Sequence, residues 1–218
     1  TKERVPNPYD YIDKLTKKYS SPDLENLPVF TGGLIGYFSY ESFKYVEPKL
    51  KFKASEIPLI SLCECHELIV FDNFKGTFSI IVNTKNKTLD GYQLAKKRIS
   101  EIRNLLFSLQ PSIKHNITKE DIEIPSKSNI SYEVYEKQVK SIKNLIHSGE
   151  IMQAVLSKEV TFDGKYDPLT LYRALRLINP SPYMFYMSFE EFNVIGASPE
   201  ILVQHQNDKV TIRPIAGT

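Results

Sequence analysis

Leu68-Ile69-Val70-Phe71-Asp72-Asn73-Phe74-Lys75-Gly76-Thr77-Phe78-Ser79-Ile80-Ile81-Val82 is the stretch on which the fold class turns. Two runs rich in β-branched and aromatic residues flank Asp72 to Gly76, whose composition is that of a hairpin turn. The first run reaches back to Ile57 and the second spans Thr77 to Val82, so both read as strands. Strands joined by so short a connection pair antiparallel, because a parallel crossover needs a dozen residues or more.

On either side the pattern alternates between strand and helix signals. Upstream, Tyr9 to Tyr19 reads as a short amphipathic helix closed by a Ser-Ser-Pro break, and Phe30 to Tyr40 is an aromatic stretch punctuated by glycines. The glycines there suit tight strand contacts and the aromatics suit packing, so this stretch reads as structural. Downstream, Asn83 to Thr88 is a turn, and Leu89 to Leu109 carries Leu94, Ile99, Ile102, Leu105, Leu106 and Leu109 at helical spacing. Pro111 to Asn129 is polar, rich in Lys and Ser, and reads as a linker.

Beyond it Ser131 is placed to cap a helix, with Glu133 in the first turn, a stripe of Tyr135, Val139, Ile142, Leu145 and Ile146, and Gly149 as terminator. Ile151 to Ser157 reads as a mostly apolar strand and Pro168 to Leu177 as a second helix. Four strand-like runs follow, Tyr183 to Phe189, Asn193 to Ala197, Ile201 to His205 and Val210 to Ile215. The order predicts an α+β fold with mixed, mainly antiparallel sheets. It divides into an amino-terminal portion of mixed strands and a helix over residues 1–125 and a second portion over 126–218.

Bulk properties narrow the function. The chain has 218 residues, 41% hydrophobic and 25% charged, an ordinary globular balance with enough length for a core. Lys and Arg number 28 against 26 Asp and Glu, a formal +2, too near neutral for a nucleic-acid or membrane surface. No segment approaches the ~20 apolar residues of a membrane span. Cys63 and Cys65 are separated by one residue inside the apolar run, too few and too close for a disulfide framework. With His66 adjacent a metal site is conceivable, but side chains this tightly packed on a strand point to opposite faces, so ordinary strand packing is the expectation. The chain is expected to be cytoplasmic and reduced. Thr1 is not a methionine, no secretory signal follows it, and both ends read as lying inside a longer protein.

Four segments carry a family resemblance. They are Gly32-Gly33-Leu34-Ile35-Gly36-Tyr37-Phe38-Ser39-Tyr40-Glu41, Gly149-Glu150-Ile151-Met152-Gln153-Ala154-Val155-Leu156-Ser157, Asn179-Pro180-Ser181-Pro182-Tyr183-Met184-Phe185-Tyr186, and Gly196-Ala197-Ser198-Pro199-Glu200 joined to Arg213-Pro214-Ile215-Ala216-Gly217-Thr218. In this order they resemble the chorismate-utilising enzymes, and within them the anthranilate synthase component I branch. The resemblance implies a partial chorismate-utilising fold, with residues 1–125 as a regulatory-type subdomain and scaffold and 126–218 as the first part of the chorismate-binding catalytic domain. It also implies conversion of chorismate and ammonia to anthranilate and pyruvate. Glu200 matches the family's general acid, which the reaction needs because hydroxide is a poor leaving group. Gln153 stands where relatives that add water carry a lysine base, and a glutamine amide takes up no proton near neutrality. Gly217 and Thr218 match substrate-binding positions, glycine allowing backbone amides to approach a carboxylate. Ala216 stands where aminodeoxychorismate synthases carry a nucleophilic lysine, which disfavours that runner-up. Asn179, Pro182, Tyr183 and Met184 match the lining of a tryptophan feedback pocket.

The same resemblance implies Mg2+ with its ligands downstream of this chain, and a glutamine amidotransferase subunit that supplies ammonia. From residue type alone Glu200 reads as a solvated glutamate after a turn, Gln153 as a polar strand edge, Gly217 as a turn and Asn179 to Met184 as a helix–strand connection. A non-catalytic remnant that binds tryptophan or chorismate is the non-enzymatic alternative. The four histidines, His66, His115, His147 and His205, have no catalytic spacing.

Overall fold

The computed structural model describes residues 5–18, 25–109, 124–206 and 208–215. The chain forms two compact units, Thr1–Ser112 and Ile113–Thr218.

In the first unit, helix α1 (Pro8–Thr16) starts at Asn7, whose side chain accepts the Tyr9 N–H at 2.9 Å, with Pro8 supplying the fixed φ that a first turn favours. It ends before the expected Tyr19. The Tyr9 ring stacks on Phe38 with centroids 5.8 Å apart, and its hydroxyl lies 3.1 Å from the Oγ of buried Ser42. Strand β1 (Gly33–Phe38) pairs antiparallel with β2 (Ile60–Cys65), from Gly33 opposite Cys65 to Phe38 opposite Ile60. At Gly36 the partner backbone comes so close that a Cβ would strike the Ser61 carbonyl and the Leu62 Cα. A 3-10 turn over Tyr40–Tyr45 follows β1.

The apolar run from Ile57 to Phe71 is thus two strands in two sheets, broken at His66. Strand β3 (Glu67–Asp72) pairs not with β2 but with β4 (Thr77–Val82), in the hairpin the sequence predicts. Asp72 closes the turn, its Oδ1 accepting from the N–H of Phe74 and Lys75 at 3.0 and 2.9 Å, while Gly76 takes φ +64°. Helix α2 (Leu89–Ser108) is capped by Thr88, which accepts the Gly91 N–H at 3.2 Å, and lies on β4. Among the described residues Ile102 of α2 is the one buried hydrophobic side chain. Arg98 reaches from α2 to β3 and grips both carboxylate oxygens of Glu67 at 2.8 and 3.0 Å. That fork holds the Glu67 carboxyl below the usual carboxylate range and raises the Arg98 guanidinium.

The second unit opens on a strand where the sequence suggested linker. Strand β5 (Ser126–Ser128) pairs antiparallel with β6 (Val160–Phe162). Helix α3 (Tyr132–His147) is capped by Ser131, which accepts the Val134 N–H at 3.3 Å, and Gly149 leaves it at φ +79°. The expected strand from Ile151 to Ser157 does not form; that segment is irregular, and the pairing falls to Val160–Phe162 three residues later. The backbone bond from Asn129 N–H to the Glu159 carbonyl, at 3.0 Å, extends the β5–β6 ladder, and Asn129 Oδ1 accepts the Glu159 N–H at 3.0 Å. Helix α4 (Pro168–Ile178) is capped by Asp167, whose carboxylate accepts from the Thr170 N–H at 2.7 Å. It covers the hairpin of β7 (Tyr183–Ser188) and β8 (Asn193–Ser198). The last two strand expectations contract to a short pair, β9 (Gln204–Gln206) and β10 (Lys209–Thr211). Every pairing among the described strands is antiparallel, as the α+β reading requires.

Candidate active site

The β7–β8 hairpin assembles most of the residues that the sequence singled out. Its register sets Tyr183 opposite Ser198 and Met184 opposite Ala197, so the helix–strand turn ahead of β7 and the Ser198-Pro199-Glu200 corner share one end of the hairpin. Asn179 is the C-cap residue of α4, its N–H bonded to the Leu175 carbonyl at 2.8 Å. Pro182 and Tyr183 are exposed and Met184 is half-buried. Gly196 leaves room for the Phe185 ring, which a Cβ at that position would meet.

At the corner, the Ser198 hydroxyl donates to the Glu200 carbonyl at 2.8 Å and accepts the Glu200 N–H at 3.4 Å. The Glu200 side chain, half-buried, accepts the Ile215 N–H on Oε1 at 3.2 Å. A bond across fifteen residues thereby ties the acidic corner to the Arg213-Pro214-Ile215 segment. Sequence reasoning grouped the two pieces as one motif without foreseeing this bond, and it gave Ser198 no role. The available signal was a hydroxyl two residues before the glutamate, the spacing at which a serine side chain can bond a nearby backbone amide. Gln153 is exposed on the irregular segment after α3. Gly217 and Thr218, together with Ala216, lie outside the described residues.

A separate feature in the first unit holds none of these residues. A cavity of about 1150 Å³ opens between the end of β2, the start of α2 and the Gly32-Gly33 pair. On its wall Glu64 meets His66 Nε2 at 3.2 Å and Lys85 Nζ at 3.3 Å. Cys63 and Cys65, two residues apart on β2, belong to one face rather than two. Both are unbridged, and burial, then the neighbouring Cys63, pushes the Cys65 thiol up. Among the described residues no three His, Cys, Asp or Glu side chains gather closely enough to hold a metal ion. The described residues therefore do not by themselves make a magnesium site. Among the described residues no helix is long and apolar enough to cross a membrane.

A single-family signature runs through both units. Residues 2–218 match the family model described as chorismate binding enzyme, and the chain belongs to that family. Its relatives include anthranilate synthase component 1 of Neisseria gonorrhoeae, 38% identical over 97% of this chain and 44% of that protein. The Pseudomonas putida protein of the same name is 35% identical over 98% of this chain and 45% of its own length. The Saccharomyces cerevisiae one is 36% identical over 97% and 44%. Among solved structures, anthranilate synthase component I from Streptococcus pneumoniae superposes with a TM-score of 0.78 at 25% identity, covering 95% of this chain and 46% of that one. The chain thus spans less than half the length of the relatives it matches.

Proposed function

We propose that the gene product carrying this chain is the large subunit of an anthranilate synthase, converting chorismate and ammonia to anthranilate, pyruvate and water in tryptophan biosynthesis. The observation that carries this reading is the likeness to bacterial and yeast proteins of that name along 97–98% of the chain.

In this reading Glu200 protonates the ring hydroxyl as it departs, a step that positioned acids typically accelerate by about 10²–10⁴-fold. Its attachment to the Ile215 amide supports the assignment, because it brings the glutamate to the segment that leads into Gly217 and Thr218. Those two residues would meet a substrate carboxylate. Ammonia arrives already basic, so a glutamine suffices at position 153, and an alanine at 216 offers no competing nucleophile. Ammonia is scarce at neutral pH, so a glutamine amidotransferase subunit would release it beside the site. Magnesium would neutralise the ring carboxylate, with ligands from outside the described residues. L-tryptophan would act as feedback inhibitor through Asn179, Pro182, Tyr183 and Met184, and the enzyme would work in the cytoplasm.

The test is anthranilate fluorescence from the full gene product with chorismate, magnesium and an ammonium salt. The expected result is a signal that tryptophan suppresses. Consumption of chorismate without fluorescence would transfer the protein to a sibling synthase, and intact chorismate would leave a binding role.

A further inference from the structure

Glu200 is held at both of its ends, and by different parts of the chain. At the backbone, one hydroxyl both donates to its carbonyl and accepts from its amide, which fixes the Glu200 backbone on both sides against the end of β8. At the side chain, the Ile215 amide takes Oε1. An amide N–H can only donate, so the oxygen it occupies is held as an acceptor and Oε2 is left to carry the proton. Neither hold involves a charged partner. Both restrict where the carboxyl can point.

We propose that Ser198 is a positioning residue for the proton transfer. With the Ile215 amide it clamps Glu200 so that Oε2 faces the substrate. The inference rests on Glu200 being the acid and names what aims it. The hydroxyl is worth more than an ordinary surface bond would be, because a displacement of about 1 Å in a catalytic group can cost on the order of a hundredfold in rate. A serine is needed for its size as well as its hydroxyl. It must reach both the amide and the carbonyl of a residue two positions on, and a longer polar side chain would overshoot.

The experiment measures kcat, KM and thermal unfolding of the full gene product carrying Ser198→Ala, Ser198→Thr, Glu200→Gln, and Ser198→Ala with Glu200→Gln. Ser198→Ala is expected to lower kcat about tenfold with KM within about twofold. Ser198→Thr keeps the hydroxyl and restores most of the rate. In the Glu200→Gln background Ser198→Ala adds almost nothing, because the group it positions no longer transfers a proton. An unchanged kcat in Ser198→Ala, an equal loss in Ser198→Thr, or a full further loss in the double variant would each overturn the clamp. If Glu200→Gln itself keeps the normal rate, the acid assignment fails, a result separable from the others. Should Ser198→Ala not fold, Ser198→Cys retains the side-chain volume with a much weaker donor, and a normal kcat there overturns the clamp equally.

Discussion

Single atoms decide two positions in this chain, and only one of them announces itself in the sequence. At Gly36 a methyl group would meet the Ser61 carbonyl across the β1–β2 ladder, where strand spacing leaves nothing to give. Gly36→Ala is expected to destabilise the first unit by about 2 kcal/mol, the range typical of overpacking, measured as a lower urea midpoint at unchanged slope. The aromatic–glycine pattern around it marks that need openly. Glu200 stands in a recognisable motif, yet its link to Ile215 joins residues that no local pattern connects. Glu200→Gln should cut kcat at least about a hundredfold in the full gene product while leaving its melting temperature nearly unchanged. Steady-state rates beside a thermal melt give both numbers.

The elements that were legible are those in which local chemistry and tertiary role agree. The helix predicted over Leu89 to Leu109 forms as Leu89–Ser108 because its apolar spacing and Thr88 cap point the same way, and Thr77–Val82 forms as read because a turn fixes its start. Ser126–Ser128 was hidden because Ser-Lys-Ser has no alternation and is exposed throughout, so its pairing is specified by its partner alone. Ile151 to Ser157 misled for the opposite reason: a short apolar run has no period of its own. Capping can be tested directly, since Ser131→Ala should cost about 1 kcal/mol and fray α3, visible as lost helical circular dichroism.

The Arg98–Glu67 fork between α2 and β3 makes a pH prediction. A carboxyl held below its ordinary range stabilises the fold above its unfolded pKa and loses that contribution as pH falls through the folded one. Urea midpoints of the parent chain and Arg98→Ala should therefore differ by a constant, small amount above about pH 5 and converge below it.

Across the whole molecule, large apolar side chains lie open in both units, among them Phe71, Phe74 and Phe107 in the first and Met152, Ile178 and Leu202 in the second. Together with a span less than half that of its relatives, this sets an expectation for the 218-residue chain on its own. It should form no anthranilate from chorismate, magnesium and ammonium, and it should brighten a hydrophobic dye, whereas the full gene product should turn chorismate over and stop when EDTA is added. Any magnesium-dependent anthranilate from the short chain would refute that. The β5–β6 ladder has a different kind of consequence. It pins Asn129 to Glu159, so the helix and the segment bearing Gln153 leave and rejoin the unit at a single doorway. Closing a loop of thirty residues is entropically inexpensive to vary, since doubling its length adds only about 0.6 kcal/mol. Such an excursion can be lengthened or shortened as one block at little entropic cost to the rest of the unit. Under the proposed function, the position of Gln153 would then be free to vary while Glu200 at the β7–β8 hairpin stays put.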